Sequence, residues 1–197
     1  MDEFSNRPRR SWFLQGCLVE ASLLGVAWVG AWLTGRPPLA DAHWRLADVF
    51  VAIVAAGPPL LAFQWTLNSR APAFVRIREF LDRALVPLMR EWALWQLAVI
   101  SVIAGVAEEA LFRGFVQGWL QTHLGAVAAV ILASLAFGLA HPITLGYAVV
   151  VGIIGIYLGL LWELTGNLLV PIITHGLYDF VALIWYLRVR PQRTARE

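Results

Sequence analysis

Three short groups of polar residues interrupt otherwise apolar text. Glu108, Glu109 and Arg113 stand in GVAEEALFRGF, Phe137 and His141 in SLAFGLAH, and His175 and Asp179 in THGLYDF. Within each group the spacing includes i, i+4, so on a helix Glu109 shares a face with Arg113, Phe137 with His141, and His175 with Asp179. A carboxylate such as Glu108 is a general base for a water molecule. Two histidines can donate hydrogen bonds to a developing oxyanion. A carboxylate one turn from an imidazole accepts one ring N–H and fixes the tautomer, a role open to Asp179 beside His175. The same donor set, Glu108 with His141 and His175, leaves a second chemistry open: ligation of zinc or another divalent metal with one position for water. No H-E-x-x-H is present, so the usual zinc-protease helix is absent. Ser101 and Ser134 lack a G-x-S-x-G elbow, and the lone Cys17 sits in an apolar run, where it reads as a small buried hydrophobe.

The elements that must carry these groups follow from composition. The chain has 197 residues, 59% hydrophobic and 14% charged, with ten tryptophans. A soluble domain carries about 45–50% apolar and about 25% charged residues. The chain therefore reads as all-α: a polytopic transmembrane helical bundle forming a single integral membrane domain over 1–197, not a disordered chain or a disulfide scaffold. Six stretches approach the ~20 apolar residues a crossing needs: 12–33, 46–67 with Pro58-Pro59 inside it, 92–121, 124–141, 145–164 and 168–187. The three polar groups fall in the third, fourth and sixth, so 92–187 is the core that carries them. Charges at mid-bilayer cost about 2.5–3.5 kcal/mol each on insertion scales, which marks them as functional or paired. Trp92, Trp95 and Trp119 read as interfacial anchors. Glu20, in the first span, belongs to no motif and reads as structural, paired with Arg113 or snorkelling. His43, His123 and Glu163 near span ends read as solvated interfacial groups.

All fifteen basic residues are arginine. With the N-terminus inside, six crossings leave twelve arginines inside and only Arg36 and Arg45 outside, a positive-inside bias that places both termini in the cytoplasm. The arginines lie between apolar spans rather than among aromatics on a polar face, so the net charge of +2 points to a bilayer and not to nucleic acid. Residues 72–90 alternate apolar and charged positions at helical spacing and read as an amphipathic helix on the cytoplasmic membrane surface. No internal repeat of the kind expected in a transporter is visible. Oligomeric state is not legible.

The three motifs, in this order and each on an expected span, resemble those of the CAAX protease and bacteriocin-processing family of intramembrane proteases. The resemblance covers about half the chain. It implies an all-helical membrane endopeptidase that hydrolyses a peptide bond in a membrane-associated peptide or protein. By that resemblance Glu108 activates water, Glu109 and Arg113 form a supporting pair, and His141 and His175 hold the water or oxyanion. Family members that act on prenylated proteins commonly carry asparagine at the last motif position; Asp179 departs from this, and an ionised carboxylate cannot donate. That departure keeps an alternative open, a non-catalytic immunity or scaffold protein on the same fold. No cofactor is certain, and zinc or another divalent metal stays an alternative. The alanine-rich, lysine-free composition resembles a bacterial chain, hence a bacterial inner membrane as the expected location.

Overall fold

The structure is a computed structural model that describes residues 7–190. Among these residues no strand occurs. In lipid each backbone N–H and C=O must be satisfied within its own segment, which leaves the helix as the local solution for apolar runs of this length. Helix α1 (Arg7–Thr34) is followed by α2 (Leu46–Ala55) and α3 (Gly57–Asn68). The pair α2–α3 is one apolar stretch jointed at Ala56, because Pro58 and Pro59 in the first turn of α3 cannot continue a hydrogen-bond ladder from α2. Next come α4 (Pro72–Phe80), a π-helical turn (Leu81–Leu85) and α5 (Val86–Met89). The central element is α6 (Leu94–Glu109), which passes through a π-helical segment (Ala110–Gln117) into α7 (Gly118–Leu124). Helices α8 (Ala126–Leu139), α9 (Leu145–Thr165) and α10 (Leu169–Ile184), the last extended by a π-helical turn (Trp185–Val189), complete the bundle.

Among the described residues, five helical stretches are long and apolar enough to cross a membrane: Trp12–Thr34, Leu46–Asn68, Leu94–Leu124, Leu145–Thr165 and Leu169–Val189. Their outer faces expose large apolar side chains, among them Trp32, Leu46, Leu145 and Leu164, as lipid-facing surfaces do. The fourth expected span is shorter than the reading 124–141. Helix α8 has 14 residues, about 21 Å at 1.5 Å per residue, against a hydrocarbon core of about 30 Å. At that length α8 falls short of a full crossing, and irregular backbone within a bilayer survives only if protein or a cavity surrounds it.

The expected amphipathic segment is helical, and its apolar side docks on the bundle. Val86 and Met89 join Phe13, Trp92, Leu97, Tyr186 and Leu187 in one apolar cluster. Tyr186 Oη donates to Asp82 Oδ1 at 2.7 Å, and Arg78 Nη1 donates to the Thr66 carbonyl at 2.6 Å. Arg188 holds the same end by donating to the carbonyls of Arg90 and Trp92. Trp92 is thus a core residue at 3% exposure, not an interfacial anchor, whereas Trp95 and Trp119 are exposed as expected. Of the arginines counted for orientation, Arg193 and Arg196 lie outside the described residues, as do the side chains of Arg7, Arg9 and Arg10.

At the opposite end Asn167 pins the α9–α10 corner. It is 1% exposed, and Gly166 before it adopts φ +61°. Its Nδ2 donates to the His43 carbonyl and to Asp48 Oδ2, both at 2.7 Å, and its Oδ1 accepts from the amides of His43 and Leu169. Asn167→Ala leaves these buried groups unpaired and is expected to cost about 1–3 kcal/mol, read as a lower apparent melting temperature in detergent. Helices α6 and α10 cross closely because Gly105 faces Gly176: a Cβ on Gly105 would lie 2.9 Å from the Ile172 carbonyl oxygen and 3.0 Å from the Gly176 nitrogen. Small residues at such crossings let two backbones approach. Gly105→Val is expected to push α10 outward and to destabilise by about 1–3 kcal/mol. Gly25→Ala, which meets nothing within 4 Å, is the matched control and should not lower the melting temperature.

Candidate active site

The central helix supplies three of the polar groups and turns them by its winding. The π-helical segment begins immediately after Glu109, and such bulges recur at functional sites. Arg113 Nη1 donates to Glu109 Oε1 at 2.9 Å, and Nη2 donates to the Gly155 carbonyl of α9 at 3.0 Å. The guanidinium carbon sits 4.4 Å from the centroid of Phe137 of α8, a cation–π contact. Glu109 and Arg113 are 0% and 1% exposed. One turn on, Gln117 repeats the pattern by donating to the Gly159 carbonyl and to Glu163 Oε1. Glu163, expected to be solvated, is therefore half-buried and accepts also from Gln121. His43 and His123 are exposed, as expected.

The nearer partner of His175 comes from another helix. Its Nδ1 donates to Glu109 Oε1 at 2.8 Å, while Nε2 lies 3.4 Å from Asp179 Oδ2. The imidazole thus stands between two carboxylates, and Glu109 ties α10 to α6 through Arg113 and His175 at once. Glu109 Oε1 is fully engaged, and the residue is sealed from the cavity described next.

Glu108 has the opposite surroundings. It makes no hydrogen bond to Arg113 or His175, and it lies at the inner end of a cavity of about 580 Å³. Asp179, Tyr147 and Tyr178 line the same end, and apolar side chains such as Phe63, Leu85, Ile154 and Leu183 line the rest. The cavity extends to Phe74 and Arg78 of α4, at the arginine-rich end of the bundle. His141 Nε2 is 3.8 Å from Glu108 Oε2, and its Nδ1 donates to the Phe137 carbonyl at 2.8 Å. Counting along full crossings puts these two residues about 10 Å apart in depth, and the short α8 removes that gap. Both helices start from the corner at Gly125 (φ +80°). Glu108 lies 17 positions before that corner and His141 16 positions after it, so an antiparallel pair brings them level.

Glu20 departs from its sequence reading. It forms no ion pair with Arg113, whose hydrogen bonds go to Glu109 and the Gly155 carbonyl. Its side chain, from α1, lines the same cavity as Glu108. The available signal in the sequence was a lone carboxylate inside an apolar span. Tyr147 and Tyr178 were also missed, although Tyr178 directly precedes Asp179. Ser101 and Ser134 are buried with no hydrogen-bond partner for their hydroxyls, and Cys17 is half-buried. For a metal, His175 has both ring nitrogens turned to carboxylates. Among the described residues no group of three or more His, Cys, Asp or Glu is set to hold an ion. The arrangement as it stands does not fit a metal centre.

Comparison with known proteins addresses the same stretch. Residues 90–181 match the family described as type II CAAX prenyl endopeptidase Rce1-like. The uncharacterised protein YpbD of Bacillus subtilis (strain 168) is 40% identical over 83 residues, which make up 42% of this chain and 41% of that relative. The match thus spans less than half the length of the relative. No solved structure matches the chain. The long apolar helices mark an integral membrane protein, and the family that its residues 90–181 resemble is one of prenyl endopeptidases. Residues 90–181, which include Glu108, Glu109, Arg113, His141, His175 and Asp179, match the Rce1-like family, and the resemblance stated from the three motifs holds.

Proposed function

We propose that the protein is an endopeptidase that hydrolyses a peptide bond in a membrane-associated peptide, with Glu108 activating the water. One observation carries this reading: Glu108 is a carboxylate without a cationic partner, held level with His141 at the inner end of an apolar cavity. A water between Glu108 and His141 gives one proton to Glu108 while its oxygen attacks the carbonyl carbon. The C–N bond then breaks, and Glu108 returns the proton to the leaving nitrogen. Glu109, Arg113 and Asp179 act at one remove by holding His175 and the crossing of α6, α8, α9 and α10. The apolar walls suit a substrate segment that brings its own apolar chain, which a peptide anchored in the bilayer does.

The test uses the purified chain in lipid vesicles with a panel of membrane-anchored bacterial peptides. Wild type and Glu108→Gln are compared at equal abundance, with and without a chelator. Cleavage by wild type alone, unaffected by the chelator, is the expected result. Equal cleavage by both forms overturns the role of Glu108. Loss with the chelator overturns a metal-free mechanism.

A further inference from the structure

A base and a water are not sufficient for amide hydrolysis, because attack places negative charge on the carbonyl oxygen and donors must already be aimed at it. The donors around Glu108 are largely committed. His175 points one nitrogen at Glu109 and the other at Asp179. His141 Nδ1 carries its proton toward the Phe137 carbonyl, which can only accept, and any proton on Nε2 faces Glu108. Arg113 is bound to Glu109 and Gly155. Of the cavity hydroxyls, Thr66 donates to the Phe63 carbonyl and Tyr186 to Asp82. Ser101 also lines the cavity, but its Oγ is itself buried.

Two hydroxyls remain. Tyr147 of α9 and Tyr178 of α10 line the cavity with Glu108, and neither phenol has a hydrogen-bond partner among the described residues. Their rings flank the two histidines: Tyr147 is 6.3 Å from the His141 ring, and Tyr178 is 6.3 Å from that of His175. We propose that the hydroxyls of Tyr147 and Tyr178 are the oxyanion donors of this site. The inference rests on the peptidase reading and supplies the donors that Asp179 cannot. As the water oxygen bonds to the carbonyl carbon, the C=O π pair moves to oxygen and the two phenols hydrogen-bond it without giving up their protons. When the C–N bond breaks, the pair returns to re-form C=O, and the leaving nitrogen takes the proton held by Glu108.

The test compares wild type, Tyr147→Phe, Tyr178→Phe, the double variant and Glu108→Gln in the same vesicles, on the panel peptide that wild type cuts fastest. Phenylalanine keeps the ring and removes only the donor. Each single change is expected to lower kcat by about 10²–10³-fold, with KM within about twofold and the apparent melting temperature unchanged. A merely structural role would lower the melting temperature and leave kcat of the folded fraction intact, and that result overturns the proposal. Wild-type kcat in both single variants and the double variant, with Glu108→Gln inactive, overturns the proposal alone. Failure of wild type to cut any peptide overturns the peptidase reading and this proposal with it.

Discussion

Glu108→Gln is expected to slow peptide cleavage by about 10²–10⁴-fold while the protein stays folded. That range corresponds to about 3–5 kcal/mol of barrier. Glutamine has the same shape, so the contact side of α6 against α10 is preserved. It lacks the basic lone pair that takes the water proton, and its amide nitrogen presents donors where the water must place one. Folding should be spared because Glu108 stands outside the buried Arg113–Glu109–His175 set, and its own contact, with His141, is at 3.8 Å. The decisive measurement is the single-turnover rate beside the apparent melting temperature. A variant with a normal melting curve and a normal rate would remove Glu108 from the chemistry. Glu109→Gln gives a useful contrast, since it disturbs bonds to Arg113 and His175 and should lower stability and rate together.

Arg113→Leu is expected to be the most destabilising single change at the site, by about 3–5 kcal/mol. The cation joins three elements: it binds Glu109 on its own helix, the Gly155 carbonyl of α9 and the face of Phe137 on α8. Its removal leaves Glu109, at 0% exposure, with His175 as its one remaining partner. The cost is chiefly that of a buried charge deprived of its counter-ion, not the net worth of the pair. At about 2–4 °C per kcal/mol for a chain of this length, the apparent melting temperature should fall by roughly 6–20 °C. Because the loss comes from the stranded carboxylate, Glu109→Gln in the Arg113→Leu background should recover part of it. Additive losses in the double variant would show that the two side chains are not coupled.

Much of this architecture was legible in the sequence. Apolar runs near 20 residues dictate helices, since no other local structure closes its backbone hydrogen bonds in lipid. The cost of charge at depth singled out Glu108, Glu109, Arg113, His175 and Asp179 before any contact was known. The Glu109–Arg113 pair followed from i, i+4 spacing and is present at 2.9 Å. Such features depend on neighbours within one helical turn, or on the composition of a single segment.

Tertiary structure decided what depends on where one helix lies against another. Span counting could not level His141 with Glu108, because it assumed that α8 crosses the whole bilayer. Periodicity could not assign His175 to Glu109, a residue 66 positions away on another helix, when Asp179 stood one turn off. Glu20 gave no motif, and its place in the cavity with Glu108 depends on how α1 packs against α6. Trp92 looked like an anchor because it sits at a span end, yet the docked α5 and the C-terminal turn cover it. Sequence patterns determined which residues were too costly to be idle; only the crossing of the helices decided which of them meet, since that depends on contacts between segments that no single segment encodes.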